Sequence, residues 1–342
     1  MVNRVSSLAT RSAAYSIMLS LLELADSRRP NLLRVLTYHR VDEPEANPAL
    51  YPGLISATPD AFDQQMSYLA ANYHVVSIQE VLDACRTGVA LPPRSVLVTF
   101  DDAYCDFAVH AWPIMKRYRL PATLFVATAF PDHPERTFWW DRLYHAFSTT
   151  GRRDELVVAS RRFPLETAAQ RSQACARLMS YVKTLPHQAA MTLVDQICDE
   201  LGSQQFEPSI LGWEALRQLV REGVMLGAHT RTHPLLNRVS LEEVQAEAVG
   251  SLRDLEREVG VVPPIFAYPS GAFNSEVVRV LERERFVLAF TTVRGINDLS
   301  TADRLRLRRI NVGRRVTLGL FRTRLLPWSL YLNRWRPLSG TP

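Results

Sequence analysis

The sequence is short of the features that mark several protein classes. It has only four cysteines in 342 residues, Cys85, Cys105, Cys175 and Cys198, with no CxxC pair and no regular spacing. That excludes a disulfide-stapled miniprotein, and thiols so placed read as reduced, which favours a reducing compartment. There is no low-complexity tract and no internal repeat, and 14 glycines are far too few for a collagen-like fibre. No apolar run is long enough to span a bilayer. The best candidate, Ala13 to Leu22 behind Arg4 and Arg11, resembles a short signal h-region, but Glu23 and Asp26 follow at once without a small-x-small cleavage site. An amphipathic N-terminal helix is the expectation there. Acidic residues are missing altogether from Arg304 to Pro342, and no histidine follows His233.

What is present suits a globular protein: 47% hydrophobic and 22% charged residues, enough to build a full core in one large domain or two modest ones. The formal charge is +5, and setting aside the ten arginines of residues 304–342 leaves −5. A basic tail on an acidic body suggests an anionic partner. Its arginines alternate with Leu318, Leu320, Phe321, Leu325, Leu326, Trp328, Leu330, Tyr331 and Trp335, which suits peripheral contact with a membrane surface. Arginines lying along the acidic body are the equal alternative. No nucleic-acid-binding motif accompanies the charge, so no nucleic-acid partner is expected.

Short apolar runs alternate with helix-period segments, the pattern of an α/β protein around a mostly parallel sheet. Strands are expected at Leu33–Tyr38, Val75–Ser77, Ser95–Phe100, Ala122–Ala127, Val224–Ala228, Ile265–Tyr268 and Val287–Phe290. Thr58-Pro59-Asp60 opens a helix over Ala61–Ala71, Ser240 with Glu243 forms a capping box for Leu241–Val259, and Asn274 caps a helix ending near Arg285. The alternation breaks between about Pro131 and Leu211, where helical patterns at Asp154–Val158, Ala168–Val182 and Gln188–Leu201 read as a helical insertion between two strands of one domain.

In such sheets ligands gather at the carboxyl ends of strands. One end reads Thr99-Phe100-Asp101-Asp102. Two adjacent carboxylates ending a buried strand are costly unless a cation or hydrogen bonds compensate, although aspartates also simply cap helices. A second end reads His229-Thr230-Arg231-Thr232-His233, two histidines at a metal-ligand spacing. Taken together, Asp102, His229 and His233 would give a divalent metal three protein ligands and leave one position open, with Asp101 free to take a proton from water.

These two motifs resemble, in order and in placement, the first two motifs of the polysaccharide deacetylase family, carbohydrate esterase family four. Pro121-Ala122-Thr123-Leu124-Phe125-Val126 is similar to the strand that follows the first of them. The resemblance covers roughly Leu33–Ala129 and Trp213–Phe290. It implies a distorted (β/α) barrel, a divalent metal, usually zinc, and hydrolysis of an N-acetyl group on a sugar. It also implies that Asp101 is the general base and that Asp102, His229 and His233 are metal ligands. The family's third motif, Arg-x-Pro-Tyr, corresponds here to Ala267-Tyr268-Pro269-Ser270. Some other cation must then hold Asp101 ionised, and Arg308 and Arg309 are the candidates on charge. Ser270 keeps the backbone N–H that helps bind the oxyanion in the family, beside Tyr268.

The late Leu-x-x-His motif of the family is missing too. His39, in Tyr38-His39, resembles an element of the circularly rearranged members that modify poly-N-acetylglucosamine, and is the candidate general acid; a ring capping the barrel mouth or touching substrate is the alternative. His74, His110, His133, His145 and His187 have no companions and are expected to be structural. Trp139 and Trp140 suit a sugar-stacking platform or the core of the insertion, and Asp141 beside them suits substrate hydroxyls.

The expectation is therefore an N-terminal helical segment at 1–30, a deacetylase barrel at 31–303 with a helical insertion at about 131–211, and a basic, aromatic-containing segment at 304–342. Its activity would be metal-dependent removal of N-acetyl groups from an amino sugar in a polysaccharide or a lipid-linked glycan. A deformylase or other small-amide hydrolase, and a non-catalytic glycan-binding protein, are the alternatives. The expected location is cytoplasmic or peripheral at the inner membrane, with secretion left open.

Overall fold

The computed structural model describes residues 13–26, 29–133, 136–202 and 209–327. Seven parallel strands close into a barrel: β1 (Leu32–Tyr38), β2 (Ser95–Phe100), β3 (Thr123–Val126), β4 (Met225–Ala228), β5 (Ile265–Ala267), β6 (Leu288–Arg294) and β7 (Leu307–Asn311). Each pairs with its successor, and closure comes from β7 pairing with β1 at Leu36–Ile310 while β1 pairs with β2 from Arg34–Val96 to Tyr38–Phe100. The result is the distorted (β/α) barrel expected from the motifs.

Side chains alternate across each strand, so parity decides which of them fill the barrel. Leu33, Val35, Leu97, Phe125, Ile265, Ala267, Leu288, Phe290 and Leu307 form one buried apolar cluster. Residues of the other parity, such as Leu36, Val98, Leu124, Leu226 and Phe266, join the outer core under the helices. Gly227 shares the inward parity; a Cβ there would lie 2.6 Å from the Phe125 ring and 2.9 Å from Ile265. Absence of a side chain lets those two meet below the site.

The helices start where the chain supplies caps. Thr58 accepts from the N–H of Ala61, Ser240 and Glu243 form the reciprocal box of Leu241–Val259, and Asn274 accepts from Glu276 and Val277.

Two expectations need correction. The barrel does not end at 303. Strand β7 lies inside the segment expected to be a separate basic tail, because Leu307 and Ile310 are buried on opposite faces, as a barrel strand requires. The helix Leu318–Leu325 that follows packs on the helices Pro59–Asn72 and Ala13–Asp26. Phe321, Leu325 and Leu326, expected to face a bilayer, are interior. Arg34 donates to the Leu325 carbonyl over 2.5 Å, and Arg322 pairs with buried Glu23 of the N-terminal helix at 3.0 Å. Trp328, Leu330, Tyr331 and Trp335 lie outside the described residues.

The second correction is in the insertion. Asp154–Val158 is not helical: Glu155–Val158 forms an antiparallel hairpin with Arg161–Pro164. Leu156 and Val158 are buried while Val157 between them is exposed, a period of two. With the helices Trp139–Thr149, Ala168–Val182 and His187–Glu200 the hairpin encloses its own core around Leu143, Phe147, Leu165, Leu178 and Val194. Among the described residues no helix is long and apolar enough to cross a membrane.

If the helix Leu318–Leu325 is integral to the barrel, Phe321→Ala, at a position 1% exposed, lowers unfolding free energy by about 3–5 kcal/mol. Urea denaturation should show this as a lower midpoint at unchanged slope.

Candidate active site

The carboxyl ends of the strands converge on one buried polar cluster. Strand β2 delivers Asp101 and Asp102, each 2% exposed. The Asp101 N–H still follows the sheet, donating to the Tyr38 carbonyl at 2.9 Å. The chain then turns through left-handed conformations at Asp102 (φ +75°) and Ala103 (φ +54°), and so sends the two carboxylates in different directions. Thr230, His233 and Ser270 at neighbouring strand ends also take positive φ, a concentration of unusual backbone that accompanies functional sites.

Asp101 keeps the inward parity of Leu97, and β7 presents Arg309 with the inward parity of Leu307. The two form a bidentate pair, Nη1 to Oδ1 at 2.8 Å and Nη2 to Oδ2 at 2.7 Å, while Arg309 Nε donates to the Thr291 carbonyl at 2.8 Å. Burial alone would raise the Asp101 pKa. The Arg309 guanidinium, on both carboxylate oxygens, reverses this and holds the carboxyl below its ordinary range. Arg308, the other candidate cation, is on the opposite face of β7 and is only half-buried.

His229 continues β4. Its Nδ1–H donates to the Ala267 carbonyl at 2.8 Å, which leaves the Nε2 lone pair aimed at Asp102. Asp102 Oδ1 lies 3.4 Å from that Nε2 and 3.5 Å from Nε2 of His233. Burial pushes His233 down to about 3, so its ring is neutral. Asp102 Oδ1 is buried without a hydrogen-bond partner, and the atoms facing it are Nε2 of the two histidines. Buried polar atoms that face one another unbonded call for an absent partner. Ligands about 2.1 Å from a tetrahedral zinc stand roughly 3.4 Å apart, so these three residues fit a divalent cation. They are the metal-suited cluster found among the described residues, with ligand atoms within 4.8 Å of one another.

The cluster lies at the floor of a cavity of about 300 Å³ whose walls include His39, Asp101, Trp139 and Ser270. The backbone N–H of His39 donates to Ser56 Oγ at 2.9 Å. Ser270 is exposed on a turn completed by Gly271 (φ +68°), where a Cβ would lie 1.9 Å from Thr292 Oγ1. Trp139 is half-buried at the rim.

Of the expected substrate contacts, Tyr268 and Asp141 are elsewhere, and Trp140 lines the cavity as part of its packed wall. Tyr268 shares the outward parity of Phe266, stacks on Phe273 at 4.8 Å and donates its hydroxyl to the Leu305 carbonyl at 2.8 Å. It is a core residue. Trp140 is 7% exposed, stacked on Phe138 at 4.6 Å and edge-on to His233 at 5.0 Å, so it backs the cluster rather than offering a sugar a free face. Asp141 is fully buried, accepting from the Tyr104 hydroxyl at 2.5 Å and the Tyr51 N–H at 2.7 Å. Tyr104 in turn accepts from Trp140 Nε1 at 2.9 Å. Burial pushes the Asp141 pKa up to about 7 against those hydrogen bonds.

Sequence reasoning missed Tyr51, Tyr104 and the insertion's own contribution to the cavity, Met179, Ser180 and Lys183. The Trp139-Trp140-Asp141 run suited either a place in the site or the core of the insertion, and nothing local indicated that Asp141 would tie down Tyr51 90 residues away.

A profile of the polysaccharide deacetylase family matches residues 88–155 and 163–287, which include most of the insertion that the motif resemblance left out. The chain is 22% identical over 269 residues to poly-beta-1,6-N-acetyl-D-glucosamine N-deacetylase of Escherichia coli K12, covering 78% of this chain and 35% of that protein. The chain thus spans about a third of the length of that relative. Among solved structures, Streptococcus pyogenes deacetylase PplD in complex with acetate aligns with a TM-score of 0.59 at 22% identity, over 87% of this chain and 100% of that one. IcaB from Ammonifex degensii aligns with a TM-score of 0.54 at 20% identity, over 86% and 97%. At such identities the structural likeness speaks for the fold.

Two expected outcomes follow from the buried carboxylates. Arg309→Gln strands Asp101 and costs about 3–5 kcal/mol near neutral pH. The native pair contributes stability above the unfolded carboxylate pKa and loses it as pH falls through the lower folded value, so the variant's deficit shrinks in acid. Urea denaturation of both proteins across that range measures it. Asp141 has the opposite sign. Between the ordinary carboxylate range and about pH 7 the folded state keeps a proton that the unfolded state has released. Wild type should therefore lose stability relative to Asp141→Asn as pH rises through that window, read from paired melting curves.

Proposed function

The chain belongs to the polysaccharide deacetylase family, whose profile spans more than half of it, and from that premise we propose that it is a metal-dependent hydrolase removing N-acetyl groups from an amino sugar in a polysaccharide or lipid-linked glycan. The observation that carries this reading is the triad Asp102, His229 and His233 directly beside Asp101, itself held ionised by Arg309. The relative's named action on poly-beta-1,6-N-acetyl-D-glucosamine supports an acetylated glucosamine as the sugar.

Asp102, His229 and His233 would hold the divalent cation, zinc by preference for this donor set. When bound, it supplies Lewis-acid polarisation of the amide and a more acidic water.

The chain's own residues do the rest. Asp101 is the general base: its ionised carboxylate accepts the proton of the water that adds to the acetamido carbonyl. Arg309 takes both carboxylate oxygens in one plane, so it fixes the base in place as well as in charge. The backbone N–H in the exposed Ser270 turn faces the developing oxyanion. His39, on the cavity wall, donates a proton to the sugar nitrogen as the C–N bond breaks, and the products are acetate and a free amine. Trp139 at the rim supplies an apolar face for the pyranose ring.

Asp101→Asn should reduce acetate release from N-acetylglucosamine oligomers by about 10²–10⁴-fold while zinc content stays at wild-type level. His229→Ala should lose both zinc and acetate release. Zinc analysis combined with an enzymatic acetate assay distinguishes them, and full activity in Asp101→Asn would remove it as the base.

A further inference from the structure

Next to the catalytic cavity is a larger one, of about 900 Å³, with three arginines in its wall: Arg314, Arg315 and Arg324. Much of the remaining wall is apolar, including Pro52, Ile55, Val316 and Leu320. Tyr51 lines both cavities. Strand β7 connects them as well, with Arg309 paired to Asp101 and Asn311, two residues on, lining the second cavity.

The three arginines lack the carboxylate partners that several arginines of this segment have. Arg306, Arg309 and Arg322 pair with Asp303, Asp101 and Glu23. Among the described residues no carboxylate pairs with Arg314, Arg315 or Arg324. Arg324 is half-buried; its Nη1 donates to the Asn311 carbonyl at 2.8 Å, while its Nε is buried and has no partner. Burial, and then the positive charge of Arg294, lower its pKa. A cation held near other cations, with an unsatisfied buried N–H, is costly until an anion completes it.

We propose that this cavity binds a phosphate ester of the substrate, seated among Arg314, Arg315 and Arg324 while the acetamido sugar occupies the catalytic cavity. This rests on the deacetylase reading of the neighbouring site and adds the substrate class: an N-acetylamino sugar carried on phosphate. Guanidinium forks match phosphate oxygens in pairs, and three of them exceed what a single carboxylate neutralises. The phosphate has two sources, a soluble sugar phosphate or a lipid-linked one. Features on the helix Leu318–Leu325 point to the second. That helix supplies Leu320 and Arg324 to the cavity and packs on the N-terminal helix, where Ile17, Leu21 and Leu22 are 63%, 65% and 47% exposed.

Binding tests this without turnover, since glucosamine 1-phosphate and glucosamine have no acetyl group to lose. Calorimetry on the full chain should find the phosphate ester bound at least about tenfold more tightly than the free sugar. That preference should vanish in Arg314→Gln/Arg315→Gln, two exposed positions, and in Arg324→Gln, with melting temperature and zinc content unchanged. Equal affinity for the two ligands, or a preference that survives all three substitutions, overturns the proposal. Co-sedimentation with phosphatidylcholine vesicles carrying polyprenyl phosphate, above that with plain vesicles, assigns the lipid-linked source; no difference, with glucosamine 1-phosphate still preferred, assigns the soluble one. Phosphate preference without acetate release would keep this site and sink the deacetylase reading. Acetate release from neutral oligomers without phosphate preference would do the reverse.

Discussion

The pair between Asp101 and Arg309 is the interaction on which the rest of the site depends. Both side chains are essentially removed from water, at 2% and 0% exposure, and they come from positions 208 residues apart. A buried carboxylate is tolerated here only because a guanidinium meets both of its oxygens and has its own Nε satisfied by the Thr291 carbonyl. That geometry needs the barrel closed, with β7 beside β1 and β1 beside β2. Folding and the ionisation state of Asp101 are therefore one problem. The strand that completes the barrel also supplies the charge that keeps Asp101 ionised.

Around that pair the site is built from compensations of unequal completeness. His229 is oriented by the Ala267 carbonyl, and His233 is held neutral by burial beside Trp140 and Phe138. What is left over is Asp102 Oδ1, buried without a hydrogen bond and facing Nε2 of both rings in a water-poor pocket, where a cation gains most. The insertion supplies the wall that keeps it so. Trp140, Tyr104, Asp141 and Tyr51 form a hydrogen-bonded chain from the metal-suited cluster to the segment that separates the two cavities. A residue that looked like a sugar contact is in this way a brace, and the same brace places Tyr51 between the catalytic and the arginine-lined spaces.

The chemistry-bearing residues were readable because each motif is local. Asp101-Asp102 and His229 to His233 each span five residues or fewer, end recognisable strands, and keep their meaning wherever the strands go. Strand β2 and the helix Leu241–Val259 fall where alternation and the capping box put them. The hairpin at Glu155–Val158 was misread since four residues carry too little periodicity to separate strand from helix. Strand β7 escaped notice because its run Leu307-Arg308-Arg309-Ile310 looks polar, and a buried arginine pairs only with a residue that local pattern does not name.

By itself, then, the sequence determined the strand ends, the three metal-suited side chains and the carboxylate of Asp101 beside them, which depend on spacing within a few residues. Only the tertiary structure decided that Arg309 rather than Arg308 faces Asp101, that Tyr268 and Asp141 are interior, and that the first half of the arginine-rich tail belongs to the barrel. The reason is physical. Inward and outward faces of a strand differ by one residue, and which face meets a charge is settled by closure of the sheet across the whole chain.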